Sequence, residues 1–165
     1  MSDSTPAPRV PTVHGEPADY QFSEQVGHLL RRAYQRHVAI FQQTIPDSQL
    51  TAAQFVVLCA VRDQGSCSLS EVVRITAIDQ ATVRGVMERL KTRDLLLVAQ
   101  DVSDRRKVMV TLTDGGRALV GQMVPFAEKI TVDTFGDLNP AERVAMLYLL
   151  RKMCDLDAAS AHADI

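Results

Sequence analysis

The sequence lacks every short motif by which common enzyme classes are recognised. It contains no glycine-rich dinucleotide fingerprint, no phosphate-binding P-loop, no His-Glu-x-x-His pair and no Gly-x-Ser-x-Gly nucleophile turn. Its four histidines do not cluster with acids or cysteines at the spacing of metal ligands. We therefore expect neither an enzyme active site nor a bound metal or cofactor.

Paired cysteines and long apolar runs are absent too. Cys59, Cys67 and Cys154 are odd in number and form no Cys-x-x-Cys pair, which predicts free thiols. No apolar run approaches the roughly 18 residues of a membrane span, and the N-terminus does not have the order of a signal peptide. These absences predict a soluble, cytoplasmic protein without a membrane partner.

A strong net charge is also missing, since the formal charge is −2 over 165 residues. The charge is nevertheless uneven: residues 84–107 contain seven bases and four acids, whereas residues 128–165 contain four bases and seven acids. Phosphate groups are attracted by local positive charge, so the first of these segments is the candidate for contact with nucleic acid.

What the sequence contains is a 46% apolar chain of one-domain size, with a proline-rich beginning. Four of the seven prolines fall within the first 17 residues, among serine, threonine and alanine. Such a composition cannot bury enough apolar area to fold. We predict flexible tails over 1–19 and 157–165 and one folded unit over 20–156.

Helical periodicity and capping signals mark the first half of that unit. Apolar residues at spacings of three and four predict an amphipathic helix from Tyr20 to about Thr44, ended by Pro46. Capping-box sequences at Thr51 and Ser68 predict the starts of a second and a short third helix.

The second half combines helices with a hairpin. Asp79 is the predicted N-cap of a fourth helix, Gln80 to Arg93, and two strands are predicted at Leu95–Ala99 and Lys107–Leu112. Helices then follow from Asp114 to about Phe135, with a kink expected at Pro125, and from Asn139 to near Asp155.

Two short helices followed by a hairpin with a basic tip have the order of a winged helix-turn-helix. The predicted fold class is therefore mainly α with a small β-hairpin (α+β). The predicted DNA-binding lobe is about 50–113, with helices over 20–45 and 114–156 on either side of it.

The chain resembles the MarR family of transcriptional regulators in three respects: Leu50–Phe55, the motif Asp104–Arg106 followed by Val110–Gly115, and the order of the helices around them. The resemblance implies a homodimer whose dimerisation helices, over 20–45 and 114–156, pair about a twofold axis. Two recognition helices and two wings then bind a pseudopalindromic DNA site. The chain departs from the family pattern at Gly85, where a base is common, and at Asp94, where glycine is usual. Either Arg84 carries the contact missing at Gly85 or one base goes unread, and aspartate at 94 tolerates the left-handed conformation less readily than glycine.

The fourth helix and the wing supply the predicted DNA contacts. Gln80, Thr82 and Arg84 lie early on the recognition helix, where side chains reach base edges, although the same residues also suit an ordinary solvated face. In the family, the residues matching Asp104 and Arg106 hold the wing loop and enter the minor groove. The predicted phosphate contacts are Lys91, Arg93, Arg105 and Lys107.

A histidine on the first helix suggests a site for a small molecule. His37 falls within an apolar stripe, with Arg36 and Tyr34 at its edges, and we include Phe55 as a ligand-binding residue. A cation beside an apolar wall suits an aromatic or pyridine carboxylate, although a lone histidine is more often a packing residue. The stretch His28–Phe41 resembles the branch that represses nicotinic acid degradation, which implies a hydroxylated nicotinate as the effector.

Two other functions remain open. A redox sensor of the same fold would use a reactive cysteine, but the first helix has none and Cys59 lies in an apolar run. A helical interaction protein without a DNA role would use the acidic C-terminal helix, and salt-dependent DNA binding would distinguish it from a regulator.

Overall fold

The computed structural model describes residues 20–101, 104 and 107–156, so both predicted tails lie outside the described residues. The helices are α1 (Val26–Thr44), α2 (Ala52–Gln64), α3 (Leu69–Thr76), α4 (Gln80–Thr92), α5 (Asp114–Phe135) and α6 (Pro140–Met153), and the strands are β1 (Ser66–Ser68), β2 (Leu96–Gln100) and β3 (Val108–Leu112). The predicted fold class, mainly α with a small antiparallel sheet, is confirmed.

The first helix begins later than the sequence predicts. A separate turn of 3₁₀ helix covers Phe22–Glu24, and Gln25 is extended, with ψ of 130°. Gln25 makes no side-chain cap, and the Phe22 ring packs against the His28 ring at 4.4 Å between centroids. The contact joins a residue before the break at Gln25 to a residue after it. The apolar periodicity of the sequence therefore continues across the point where the helix is interrupted.

The predicted helix starts are confirmed by hydrogen bonds. Thr51, Ser68 and Asn139 each form a complete capping box with the residue three positions later. Asp79 accepts a hydrogen bond from the Thr82 backbone N–H and caps α4. A cap supplies a partner to backbone donors that the helix leaves unpaired, which fixes where each helix begins.

The sheet contains a strand that sequence periodicity does not predict. β1 pairs antiparallel with β3 and places Cys67 opposite Val110, while β2 pairs with the other edge of β3. The wing hairpin is thereby joined to the segment between α2 and α3. β1 escapes prediction because three residues carry no measurable alternation.

The core lies where α2, α3 and α4 pack on the sheet and on α5. Leu58, Val72, Leu90 and Leu96 are fully buried there. α5 approaches β2 so closely that a Cβ at Gly116 would overlap the backbone carbonyl of Leu95.

Apolar side chains on α1 and α6 remain uncovered in the single chain. α6 buries none of its 14 residues, and Val144, Leu147 and Tyr148 are 48–69% exposed. On α1, Val26 and Leu29 are similarly exposed. Exposed apolar side chains that cluster on one helix, as on α6, mark a site of association.

Over the described ranges, no helix is both long enough and apolar enough to cross a membrane. The same residues contain no group of three or more histidine, cysteine, aspartate or glutamate side chains placed to hold a metal ion.

Candidate nucleic-acid interface and effector site

Helix α4 is anchored by one face and presents the other to solvent. Val83, Val86, Met87 and Leu90 are buried, while Gln80, Arg84 and Lys91 are exposed. The three exposed side chains follow one side of the helix, since they stand four and seven residues apart. The structure thus places these predicted contacts together on an accessible surface.

Thr82 is placed differently, as part of the helix cap. Its backbone N–H donates to Asp79 Oδ1 at 2.9 Å, and its hydroxyl donates to Asp79 Oδ2 at 2.6 Å. These two hydrogen bonds hold the pKa of Asp79 below its ordinary value. The hydroxyl proton of Thr82 is therefore used inside the protein, and only its oxygen lone pairs remain to accept from a base.

Gly85 changes the surface of α4 through the side chain that it lacks. A Cβ at Gly85 would meet the Arg89 guanidinium, at 3.8 Å from Nη1 and 3.9 Å from Nη2. Arg89 therefore lies along the helix over Gly85 and adds a cation to the exposed surface. The sequence prediction did not include Arg89. A signal was available, because residues four apart on a helix are neighbours and a glycine at 85 leaves space for the side chain at 89.

Among the residues that the structure describes, three hydrogen bonds lie at the base of the wing loop. Asp101 N–H donates to the Lys107 carbonyl at 2.9 Å, and Lys107 N–H donates to the Asp104 carbonyl at 2.8 Å. The Asp104 N–H donates to Asp101 Oδ1 at 2.9 Å. Asp104 thus stands within the loop closure, and Lys107 is exposed beside it. Arg105 and Arg106 lie outside the described residues.

Arg93, at the C-terminal end of α4, forms an internal ion pair. Its Nη2 donates to Asp47 Oδ2 at 2.5 Å, and the two side chains are only 26% and 21% exposed. Its Nη1 is buried and has no hydrogen-bond partner among the described residues. This guanidinium ties α4 to the connection between α1 and α2, a place that does not favour the phosphate contact predicted for it.

We expect Asp47→Asn to lower the free energy of unfolding by about 1–2 kcal/mol at neutral pH, because a charge-assisted hydrogen bond is lost. Burial acts to raise the pKa of Asp47, but hydrogen bonds from Arg93 and the Gln49 backbone bring it below its ordinary 3.8. The carboxylate therefore stabilises the fold above pH 3.8, and this contribution is lost as the pH falls through the lower folded-state pKa. Urea unfolding as a function of pH measures both effects.

The matched control is Asp63→Asn, which breaks an ion pair with Arg62 whose side chains are 42% and 60% exposed. Exposed pairs contribute little, so its unfolding midpoint should stay close to that of the wild type. Equal losses in the two variants would contradict a special role for the Asp47–Arg93 pair.

The predicted effector residues lie where α1 packs on the end of α5. His37 Nδ1 is 3.0 Å from the Thr134 hydroxyl oxygen, and Arg36 Nη2 donates to the Asp133 carbonyl at 3.5 Å. Partial burial lowers the pKa of His37, which favours a neutral ring at neutral pH. Arg36 also lies over Gly136, whose φ of 57° and lack of a side chain leave room for the guanidinium.

Two aromatic pairs flank these groups along α1. Tyr34 and His37 have ring centroids 6.4 Å apart, and Phe41 and Phe55 have centroids 5.9 Å apart. Tyr34 is 57% exposed, whereas Phe41 is buried. Tyr34, His37 and Phe41 thus follow one side of α1, with Phe55 of α2 against Phe41, while Arg36 lies at the edge of this side, over the end of α5.

Cys59 and Cys67 are in settings that disfavour thiolates. Burial raises the pKa of Cys59 and that of Cys67 above their ordinary values. Since the thiolate is the reactive form, neither residue has the environment of a peroxide-sensing cysteine.

The chain is similar to known proteins over most of its length. A model described as the MarR family matches residues 50–108. The chain is 58% identical over 138 residues to the HTH-type transcriptional repressor NicR of Pseudomonas putida, which covers 84% of this chain and 87% of that protein. It is 28% identical over 126 residues to the transcriptional regulator HosA of Escherichia coli, covering 76% of this chain and 92% of HosA.

Two solved structures are similar to the chain over most of its length. One concerns regulation of the DNA binding of Bordetella bronchiseptica BpsR by 6-hydroxynicotinic acid, with a TM-score of 0.78, 78% identity and coverage of 82% of this chain and 98% of that one. The other is a mutant E. coli MarR complexed with operator DNA, with a TM-score of 0.73, 25% identity and coverage of 82% and 99%.

Proposed function

Since this chain belongs to the MarR family, we propose that it is a homodimeric transcriptional repressor that binds a pseudopalindromic operator and is released by a hydroxylated pyridine carboxylate. The observation that carries the proposal is the exposed, basic side of α4 standing next to the wing hairpin. A recognition helix beside a wing can contact the major and minor grooves of one half-site. As a repressor without an enzymatic activity, it acts in the cytoplasm of the bacterial cell.

The DNA contacts divide into those that choose a sequence and those that add affinity. Gln80 can donate to N7 of adenine and accept from its N6 amino group, whereas Arg84 can donate to both N7 and O6 of guanine, and the oxygen of Thr82 lies beside them. Arg106 inserts into the minor groove from a loop shaped by Asp104. Lys91, Arg105 and Lys107 bind phosphates and respond to salt.

Dimerisation covers the exposed apolar surface of α1 and α6. The side chains of Val144, Leu147, Tyr148 and Arg151 line an open groove of about 290 Å³ on α6. A second copy of the chain offers the same apolar surface, as a twofold interface requires. The dimer then places two α4 helices at the spacing of successive major grooves.

The effector binds beside α1, where Arg36 pairs with its carboxylate and His37 contacts its ring substituent. Tyr34 and the Phe41–Phe55 pair supply the aromatic wall. A site for a small aromatic acid requires a guanidinium that can form two hydrogen bonds with the carboxylate, and an apolar wall against which the ring packs. In the relative BpsR, 6-hydroxynicotinic acid regulates DNA binding. This acid is therefore the first compound to test.

We expect 6-hydroxynicotinic acid to lower the affinity of the dimer for its operator by roughly 5- to 150-fold, the usual range of coupling between two sites. The operator probe is DNA from upstream of the gene itself and of its neighbouring genes. His37→Phe keeps the ring volume and removes both nitrogens, so DNA binding should survive while the response to the acid falls. Calorimetry with and without operator checks that the coupling is reciprocal.

His28→Phe is the matched control, because His28 lies on the same helix but contacts Phe22 rather than α5. It should respond to the acid as the wild type does. A wild-type protein that binds operator but ignores 6-hydroxynicotinic acid would contradict the proposed effector and leave the DNA-binding function intact.

A further inference from the structure

The contact between α1 and α5 fixes the position of a proton on His37. Thr134 Oγ1 lies 2.7 Å from the Ile130 carbonyl oxygen, one turn earlier on α5. Two oxygens at this distance repel unless a proton lies between them, and a carbonyl has none to give. The hydroxyl proton of Thr134 therefore points to Ile130, as is common for threonine within a helix.

His37 must then act as the donor in its contact with Thr134. The Thr134 oxygen has no second proton, so the 3.0 Å contact to His37 Nδ1 requires a proton on that nitrogen. A neutral imidazole carries one proton, which leaves Nε2 with a lone pair. Among the described residues, none forms a hydrogen bond with Nε2.

We propose that Thr134 is a positioning residue that holds the His37 proton on Nδ1, so that Nε2 accepts a hydrogen bond and the site selects ring acids that carry a donor. The inference rests on the proposed effector site. A hydroxylated pyridine carboxylate presents a hydroxyl or a lactam N–H to Nε2. Nicotinate presents only a ring nitrogen lone pair and a carboxylate, both of which repel an acceptor.

The consequence is discrimination between an acid and its hydroxylated product. A site built around a hydrogen bond rejects the analogue that lacks the matching group, since the bound ligand covers the acceptor and leaves it unpaired. We expect wild-type protein to bind 6-hydroxynicotinic acid roughly 5- to 150-fold more tightly than nicotinic acid. The regulator then responds to the product of a ring hydroxylation and not to its substrate.

The test uses two variants of Thr134 in the full chain. Thr134→Val keeps the shape and removes the oxygen that accepts from Nδ1, so the proton is free to move to Nε2. Calorimetry should show the two acids binding with similar affinity. Thr134→Ser restores the oxygen and should restore the preference. Thermal melting and operator binding verify that each variant folds.

Nitrogen NMR of the imidazole gives a second result that needs no ligand. The His37 signals, assigned by their loss in His37→Phe, should show a protonated Nδ1 in the wild type and in Thr134→Ser, and a protonated Nε2 in Thr134→Val. An unchanged Nδ1 proton or an unchanged affinity ratio in Thr134→Val overturns the role of Thr134. A wild type with the Nδ1 proton that binds neither acid contradicts the proposed effector instead.

Discussion

A protein carrying Val144→Glu and Leu147→Glu is expected to be a monomer that no longer binds operator measurably. Both side chains are exposed in the single chain, at 69% and 48%, so the substitutions cost the protomer core nothing. In the dimer they place four carboxylates in an apolar interface, where each buried unpaired charge costs several kcal/mol. Light scattering gives the mass, and a gel shift gives the loss of DNA binding.

The control for this variant is Leu97→Glu, a change at a leucine of similar exposure, 56%, on β2. It should leave the protein dimeric, because β2 is remote from α6. A double glutamate variant that stays dimeric at micromolar concentration would place the dimer interface elsewhere. A monomer that keeps full operator affinity would remove the dimer from the DNA-binding mechanism.

Arg84→Ala is expected to cost about 1–3 kcal/mol on operator DNA and much less on DNA of random sequence. The reason is that a guanidinium paired with a base edge loses a sequence-dependent interaction, whereas a guanidinium on phosphate loses the same on every duplex. Because Arg84 is exposed on α4, its removal should leave the melting temperature unchanged. Fluorescence anisotropy on both DNAs at one salt concentration measures the difference.

Lys91→Ala is the comparison that distinguishes a base contact from a phosphate contact. Lys91 is exposed on the same side of α4 but two turns later, near the helix end, and is expected to contact phosphate. Its loss should weaken binding equally on operator and random DNA and reduce the salt dependence. If Arg84→Ala behaves in the same way, Arg84 is a phosphate contact and another residue, Arg89 foremost, reads the base.

Features that depend on neighbouring residues were predictable from the sequence. Thr51, Ser68 and Asn139 bind the backbone three residues away, so their capping boxes are visible in four letters. Asp94 replaces the usual glycine and adopts the left-handed conformation, with φ of 55°. Aspartate is among the few residues that tolerate this region, so the helix ends there as predicted.

Features that join distant parts of the chain were not predictable in the same way. Arg93 meets Asp47 across 46 residues, and His37 meets Thr134 across 97. Nothing local distinguishes Arg93 from Lys91, since both are bases near the end of α4. Their different surroundings follow from the rotation of α4 against the core, which only the packed structure specifies. For the same reason the stripe on α1 identified His37 but not Thr134.

The ion pair between Arg93 and Asp47 restrains how α4 can move. Its C-terminal end is held to the connection that follows α1, and its 13 residues extend about 20 Å toward the N-terminal side chains that we propose face DNA. A tilt of about 10° around this pivot would carry the far end by about 3.5 Å, close to the 3.4 Å between successive base pairs. In a dimer, two such helices that move in opposite directions would change their separation by the length of about two base pairs. They would then no longer match the two halves of a pseudopalindrome. A rotation of this size, applied to the DNA-binding lobe as a whole, is therefore enough to change the DNA register of the dimer.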